Sequence, residues 1–326
     1  MVRFGIIGAG RIAETFAESL NGIKEGMLYA IASRSMEKAK TFKKKFNVEK
    51  AFGSYQAMYE DPKLDCVYVA TPHGLHYEQM LEILDYKKHI LCEKAFTLNH
   101  KQAEHVFQKA KEQGVFVMEA MWTRFLPTIQ GVIAHVVEGT IGEIKHLDAT
   151  FSFKDNQSPD NRLYNKELGG GALLDIGIYP ITLANLVLGP PAIIDAHATL
   201  HETGVDYYET ITYEYENGAL ATLKAGFNKD EPREAMIYGT KGKIHIPNFW
   251  SAEEAYVYNE DDKLIEHIEY KHPINGFEYE INEVISCINN NRLESSVMPH
   301  TTTIRILKQM DALRKKWGIV YPQEVK

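Results

Sequence analysis

The chain has 326 residues, which favours two domains, and its hydrophobic and charged fractions, 44% and 25%, are those of an ordinary globular protein. Acidic residues outnumber basic ones by 44 to 36, and the net charge of −8 argues against a general nucleic-acid-binding surface. The three cysteines form no Cys-x-x-Cys pair, which disfavours a zinc or redox site. We identify neither a leader nor an apolar stretch long enough to span a bilayer, and we expect a cytoplasmic protein with no membrane partner.

The first third of the chain alternates strand-like and helix-like segments. Strands are predicted at residues 4–7, 27–32, 51–52, 66–70, 89–92 and 115–118. Helices are predicted at residues 12–20, 35–46, 75–86 and 99–113. This alternation predicts a doubly wound parallel sheet, a Rossmann domain that spans residues 1–122.

Residues 123–326 show a different pattern. Helices are predicted at residues 127–138, 277–289 and 301–317. Strands are predicted at residues 142–154, 207–216, 219–227, 235–238, 243–246, 255–258 and 264–270. Asn217-Gly218 predicts a hairpin with a type I′ turn, in which both central residues need positive φ. We therefore expect an α+β domain with a large, mostly antiparallel sheet over residues 123–326.

Small residues fill the turn between the first strand and the first helix. Gly8 allows the turn, Gly10 lets a pyrophosphate approach the backbone, and Ala13 permits close helix–strand packing. The phosphates would face the free N–H groups of the helix start. Arg11 and Ile12 are also expected at the cofactor, where Arg11 could stack on the adenine or stay in solvent. The alternative is a glycine turn in some other α/β fold.

The end of the second strand indicates which dinucleotide is bound. An NAD enzyme usually has a carboxylate there, which holds the ribose 2′-hydroxyl. This chain instead has Ser33 and Arg34, a hydroxyl donor and a guanidinium that can pair with a 2′-phosphate. The sequence therefore favours NADP over NAD, unless Arg34 is simply a solvated arginine at a helix start.

Two further stretches carry polar groups that could perform chemistry. Glu93 and Lys94 follow the fifth strand, and ligands of open α/β sheets bind at the carboxyl ends of the strands. The second stretch runs from Gly169 through two more glycines to Asp175 and Tyr179. Each glycine would cost a helix about 1 kcal/mol, so the glycines indicate a close approach to a ligand or a neighbour. Alternatively, these are an exposed ion pair and a structural helix start.

Together these stretches resemble the Gfo/Idh/MocA oxidoreductases, which are sugar and cyclic-polyol dehydrogenases with a Rossmann domain and an α/β substrate domain. The resemblance covers essentially the whole chain, and its motifs are Gly8 to Ala13, Thr71 to His76, Glu93-Lys94, Gly169 to Tyr179 and Met298 to His300. Residues 118–127 look like the branch that contains dimeric dihydrodiol dehydrogenase and NADP-dependent D-xylose dehydrogenase. The chain departs from the common family pattern at Ala95, where proline is usual, and at Tyr179, where histidine is frequent and tyrosine supports the branch.

The resemblance implies catalytic roles for three residues. Lys94 would lie by the nicotinamide and the reacting oxygen, Tyr179 would donate and accept the proton, and Asp175 would orient the substrate or Lys94. A free tyrosine has a pKa of about 10, too high for a base near neutrality, and a nearby ammonium lowers that pKa. The same ammonium would polarise a carbonyl oxygen in the reductive direction.

The resemblance also implies further binding residues. Those expected at the cofactor are Thr71, Pro72, His73, His76, Glu93, Trp122 and Arg124, and those expected at the substrate are Lys94, Phe153, Asp175 and Tyr179, with Asn156 and Arg162 as weaker candidates. Trp122 and Arg124 could instead be packing anchors at the domain junction. His73 and His76 have the His-x-x-His spacing of metal ligands, but no third ligand is apparent and we predict no metal.

The leading interpretation is an NAD(P)-dependent oxidoreductase that acts on a sugar, a cyclic polyol or a related carbonyl compound. The alternatives are a regulator that binds NAD(P) without turnover and a structural protein. Retention of both Lys94 and Tyr179 favours the enzyme, because a sensor does not need an acid–base pair. The resemblance further implies a homodimer or a higher homo-oligomer, formed through the sheet of the second domain.

Overall fold

The structure is a computed structural model, and it describes residues 1–155 and 161–325. These residues form two compact units. The first comprises Met1–Trp122 and Pro273–Ile304, and the second comprises Thr123–His272 and Arg305–Lys326. The first unit thus includes a late segment that the sequence analysis placed in the second domain, and the functional division after residue 122 stays a prediction.

The first unit contains a six-stranded parallel sheet with the order β3-β2-β1-β4-β5-β6. Its strands are β1 (Val2–Ile7), β2 (Gly26–Ala32), β3 (Lys50–Phe52), β4 (Cys66–Val69), β5 (His89–Glu93) and β6 (Val117–Ala120). Its helices are α1 (Arg11–Asn21), α2 (Met36–Phe46), α3 (Tyr55–Tyr59), α4 (His73–Asp85), α5 (His100–Gln113) and α8 (Phe277–Asn289). The predicted doubly wound sheet is confirmed, and its strand order reverses between β1 and β4, where such folds bind ligands.

The sequence pattern explains most of this packing. All four residues of β4 are fully buried, as expected for a parallel strand covered on both faces. Helix α1 buries Ala13, Phe16 and Leu20 on one face. Ile12 departs from the predicted apolar face, because it lies in the first helical turn and is 36% exposed. Helix α4 begins at His73, two residues earlier than predicted, so His73 and His76 both belong to its first turns.

The second unit contains an eight-stranded sheet with the order β14-β13-β12-β11-β7-β10-β9-β8. Only the β7–β10 pair is parallel, which confirms the mostly antiparallel prediction. The strands are β7 (Ile144–Ser152), β8 (Ile193–Leu200), β9 (Asp206–Glu214), β10 (Leu220–Gly226), β11 (Glu234–Gly239), β12 (Gly242–Pro247), β13 (Glu254–Asn259) and β14 (Leu264–Glu269). The helices are α6 (Pro127–Glu138), α7 (Ile178–Val187) and, from Arg305 onward, α9 (His300–Trp317).

The hairpin between β9 and β10 forms as predicted, but its turn type differs. Gly218 has a φ of +78°, whereas Asn217 is not among the residues with positive φ. The N–H of Gly218 donates to the carbonyl of Tyr215, and the N–H of Tyr215 donates to Ala219. This is a type I turn followed by a left-handed glycine, so the type I′ prediction was wrong. The Asn217 side chain accepts a hydrogen bond from the N–H of Ala219. Asparagine can therefore stabilise a turn through its side chain without adopting a positive φ, and the Asn-Gly pair alone does not distinguish the two cases.

One helical stretch of the described residues, Lys166–Val187, has the length and apolar composition of a membrane span, and 89% of its most apolar window is buried inside the protein. The sequence analysis did not identify this stretch. Its burial is that of a core helix, because every residue from Ala172 to Asn185 is buried.

Candidate active site

The two glycines of the loop after β1 have different surroundings. Gly8 has a φ of +92°, and a Cβ there would lie 2.6 Å from the carbonyl oxygen of Ala70 at the end of β4. Gly10 is the N-cap of α1, and a Cβ there would meet no atom within 4 Å. No side chain of Gly10 caps α1, whose first N–H groups lie at the positive end of the helix dipole. This loop fits a pyrophosphate.

The end of β2 presents the two residues predicted to select the dinucleotide. Ser33 is buried, its N–H donates to the carbonyl of Phe52, and its hydroxyl accepts from the N–H of Ser35 at 3.3 Å. Arg34 is exposed, as is Arg11 in the glycine loop. Ser35 caps α2 by accepting from the N–H of Lys38, as predicted. Arg34 is therefore available to a phosphate, while the loop around it is held by backbone and hydroxyl hydrogen bonds.

Two histidines hold the turn that carries Lys94. Nε2 of His73 lies 3.1 Å from the carbonyl oxygen of Lys94. His76 is fully buried, with Nδ1 3.0 Å from the carbonyl oxygen of Ala95 and Nε2 2.7 Å from that of Thr71. Burial lowers the pKa of His76 and so favours the neutral ring at pH 7. The Lys94–Ala95 peptide bond is cis. The predicted cofactor contact of His76 remains a prediction, and its geometry supports a role in positioning this turn.

Three other predicted cofactor residues have structural partners. Glu93 is buried and accepts a hydrogen bond from the hydroxyl of Tyr68, whose ring stacks on Phe16 of α1. The Thr71 hydroxyl donates to Gln79 at 2.5 Å, and Pro72 is the N-cap of α4. These contacts bring the ends of β4 and β5 together at the edge where the glycine loop also lies, since the strands are parallel.

Trp122 and Arg124 lie in short helical structure after β6. The ring of Trp122 packs on Phe277 of α8 at 4.9 Å, within the first unit. In the second unit, the carbonyl of Arg124 accepts from the Gln130 side chain at 2.6 Å. The prediction that both border the cofactor is neither supported nor opposed by these contacts.

The second unit carries Asp175 and Tyr179 on an irregular helix. Leu173–Gly177 forms a π turn that leads directly into α7. Pro180 explains the widening, because its ring has no N–H for the carbonyl of Ile176 and would clash with it in a regular α-helix. Asp175 is buried and forms a 3.0 Å ion pair with Arg162, whose own side chain is half exposed.

The predicted proton donor packs against one ring of an aromatic cluster. Tyr179 is 7% exposed and its ring centroid lies 5.6 Å from that of Phe151. Phe151 in turn stacks on Trp250 at 4.1 Å. Phe153, the predicted substrate contact, packs on Phe227 at 5.3 Å and is half-buried. Sequence reasoning missed Phe151 and Trp250, although the strand alternation of β7 could have shown that 151 and 153 share a face. The candidate Asn156 lies outside the described residues.

Among residues 1–155 and 161–325, no group of three or more His, Cys, Asp or Glu side chains is arranged to hold a metal ion. His73 and His76 instead contact backbone carbonyls, as described above. A glycine loop that fits a pyrophosphate and a lysine turn, both at one edge of a doubly wound sheet, are typical of nicotinamide-dependent oxidoreductases.

Comparison with known proteins identifies the family within this class. Residues 2–121 match the oxidoreductase family with an NAD-binding Rossmann fold, and residues 129–245 match the GFO/IDH/MocA C-terminal domain. The chain is 33% identical to mouse (Mus musculus) trans-1,2-dihydrobenzene-1,2-diol dehydrogenase, over 99% of both chains. It is 34% identical to the scyllo-inositol 2-dehydrogenase (NADP(+)) IolU of Bacillus subtilis, again over 99% of both. The chain therefore belongs to the Gfo/Idh/MocA oxidoreductase family.

A solved structure agrees with this assignment. KijD10, a 3-ketoreductase from Actinomadura kijaniata in complex with NADP and TDP-benzene, superposes with a TM-score of 0.87 at 28% identity. The match covers 96% of this chain and 97% of that one. Nothing in these comparisons favours a role without catalysis.

Proposed function

We propose that this protein is an NADP-preferring dehydrogenase or reductase that acts on a CH–OH group, or the corresponding carbonyl, of a sugar, a cyclic polyol or a related diol. The observation that carries the proposal is the Lys94 turn, which two histidines hold at the same sheet edge as the glycine loop. The relatives support the substrate class, because those compared are named as a dihydrodiol dehydrogenase, a scyllo-inositol dehydrogenase and a 3-ketoreductase.

The residues present fit the cofactor. Gly8 and Gly10 with the first turn of α1 would hold the pyrophosphate, and Ser33 and Arg34 would hold the 2′-phosphate. When bound, the nicotinamide supplies or accepts the hydride.

We propose that Lys94 and Tyr179 assist the accompanying proton transfer. The Tyr179 hydroxyl would take the hydroxyl proton in oxidation and return it in reduction, and the Lys94 ammonium would polarise the carbonyl oxygen. Asp175, held by Arg162, would orient the substrate, and the rings of Phe151 and Trp250 would exclude water from Tyr179.

Turnover tests the catalytic part of the proposal. Purified protein is assayed for reduction of NADP⁺ with trans-dihydrodiols, inositols and aldoses, and for oxidation of NADPH with keto sugars and dicarbonyls. We expect Tyr179→Phe and Lys94→Ala each to lower kcat about 10²- to 10⁴-fold, with NADPH affinity within threefold for Tyr179→Phe. Tight NADPH binding without turnover of any of these compounds would instead favour the regulator.

Fluorescence titration with NADPH and NADH tests the cofactor preference. A hydrogen bond to a charged group contributes about 1.5–3 kcal/mol, and the exposed Arg34 should contribute at the lower end of this range because solvent and salt screen its charge. Arg34→Ala should therefore weaken NADPH binding about tenfold and leave NADH binding unchanged. Lys38→Ala, in the same exposed helix start, is the matched control and should change neither affinity. Equal affinities for NADPH and NADH in the unmodified protein would contradict the preference.

We further propose a cytoplasmic homodimer that pairs through the open face of the second unit's sheet. That face carries half-exposed aromatic and charged side chains, among them Tyr238, Tyr256 and His267. Light scattering after size-exclusion chromatography would report twice the 37.1 kDa chain mass. Tyr238→Asp should shift the mass toward that of the monomer, and an unmodified protein that elutes as a monomer at micromolar concentration would contradict the proposal.

A further inference from the structure

The glycines around Asp175 lie against fixed groups of the second unit, and two of those groups are carboxyls. A Cβ at Gly170 would meet the backbone carbonyl of Leu163 at 2.6 Å. A Cβ at Gly171, whose φ is +119°, would overlap Oδ1 of Asp206, and one at Gly177 would overlap Oε1 of Glu209. Asp206 and Glu209 thus touch both ends of the π turn that carries Asp175.

Asp206 and Glu209 are both fully buried, near the start of β9. Oδ2 of Asp206 accepts from the N–H of Leu173 at 2.5 Å, at the first turn of the helical segment. The other three oxygens of the pair receive no hydrogen bond from any other group in the described parts of the chain. Each carboxyl influences the pKa of the other, since Glu209 lowers that of Asp206 and Asp206 raises that of Glu209. Two carboxyls can hydrogen-bond to each other only if one of them carries a proton.

Arg314 is the cation that influences the pair among the described residues, and its charge lowers the pKa of Asp206. Arg314 of α9 lies near Asp206, but its guanidinium is engaged by Asp311 at 2.8 Å and by Glu324 at 2.7 Å. Burial, followed by the charges of Asp206 and Glu209 among other groups, raises the pKa of Tyr321, whose hydroxyl donates to the carbonyl of Gly170 at 2.7 Å.

The position of Leu173 decides which carboxyl is ionised. Its N–H at the positive end of the helical segment favours a negative charge on Asp206. Burial raises the pKa of both groups, and the neighbouring Asp206 raises that of Glu209 further. Glu209 is therefore the neutral donor and Asp206 the acceptor.

We propose that Asp206 and Glu209 share one proton and act as a positioning pair, which holds the π turn so that Asp175 and Tyr179 keep their orientation. This rests on the proposed roles of Asp175 and Tyr179. Neither carboxyl is proposed to touch substrate, and their effect passes through the backbone of residues 171–177.

The pH dependence of stability tests the shared proton without any substrate. A buried acid with a raised pKa stabilises the fold below its unfolded-state pKa and loses that contribution as the pH rises toward the folded-state value. Glu209→Gln keeps a neutral donor that cannot ionise. The melting temperature of Glu209→Gln minus that of the unmodified protein should therefore increase by several degrees from pH 5 to pH 9. A difference that stays constant over this range would overturn the shared proton.

A second set of variants tests the positioning role. Glu209→Leu removes the donor, and we expect hydrogen exchange in residues 171–179 to increase at least tenfold and kcat to fall at least tenfold, with unchanged NADPH affinity. Glu209→Gln should restore both values to within about threefold of the unmodified protein. Thr182→Val is the control, because its buried hydroxyl on α7 has no hydrogen-bond partner among the described residues, and it should leave both unchanged.

The two sets of results also separate this proposal from the proposed function. If the unmodified protein shows no turnover, the proposed function fails. Hydrogen exchange in residues 171–179 and the pH dependence of the melting temperature still test whether Asp206 and Glu209 act as a positioning pair. If turnover is present and Glu209→Leu retains both kcat and slow exchange, the positioning role is refuted.

Discussion

Two substitutions in the glycine loop should have different effects, because Gly8→Ala should lower the melting temperature and Gly10→Ala should lower the affinity for NADPH. Gly8→Ala places a methyl group 2.6 Å from the Ala70 carbonyl oxygen at a φ of +92°. Such backbone strain costs about 1–3 kcal/mol, and a backbone carbonyl cannot rotate away as a flexible side chain would. Taking about 2 kcal/mol, and about 2–4 °C per kcal/mol for a unit of this size, the melting temperature should fall by about 4–8 °C.

Gly10→Ala should leave stability nearly unchanged. Its backbone is extended, with a φ of −95°, and nothing lies within 4 Å of the added methyl group. The poorer N-cap costs about 0.5–1 kcal/mol, which the less flexible unfolded chain offsets by about 0.4–1 kcal/mol. The methyl group would, however, occupy the space proposed for the pyrophosphate, so NADPH affinity should fall at least tenfold.

Differential scanning fluorimetry and fluorescence titration with NADPH, applied to both variants, give the comparison. Equal losses of melting temperature would show that the approach to Ala70 is not what requires glycine at position 8. NADPH affinity unchanged in Gly10→Ala would refute the assignment of this loop to the phosphates.

Two further predictions concern buried polar groups of the first unit. Tyr68→Phe removes a donor to the buried Glu93 carboxylate and should lower the free energy of unfolding by about 1.5–3 kcal/mol, as measured by thermal melting. Tyr59→Phe is the control, because it removes a buried hydroxyl without a partner among the described residues and should leave that free energy unchanged. Burial lowers the pKa of His89, so its contribution to stability is present above pH 6.5 and is lost as the pH falls toward its folded-state pKa. The stability advantage of the unmodified protein over His89→Gln, measured by urea denaturation, should therefore shrink from pH 7 to pH 5, and an advantage that stays constant would contradict this assignment.

Local patterns in the sequence were sufficient for the two kinds of sheet, although α3, α7 and β8 were not predicted. Apolar runs separated by amphipathic segments require a parallel sheet covered by helices, and alternating strands joined by tight turns require an antiparallel one. The first glycine loop was predictable for the same reason, because strand, turn and helix are adjacent in the chain. Lys94 and Tyr179 could be named from motifs, but their roles rest on the family resemblance and await the kinetic tests.

Contacts between distant residues were beyond such reasoning. The sequence indicated that the glycines before Asp175 approach something closely, yet only the fold shows that Gly171 meets Asp206. The His73 and His76 pair likewise had the spacing of metal ligands, and the fold directs it to the carbonyls of Lys94 and Ala95.

The sequence by itself determined most of the elements and where the glycine loop lies, because periodicity and turn chemistry act over a few residues. The tertiary structure decided the partners of each polar side chain. It also joined residues 273–304 to the first unit, packed Trp250 on Phe151 and buried two carboxyls together. These outcomes depend on which surfaces meet when the sheets and helices pack, and that information is spread over the whole chain rather than written in any one stretch of it.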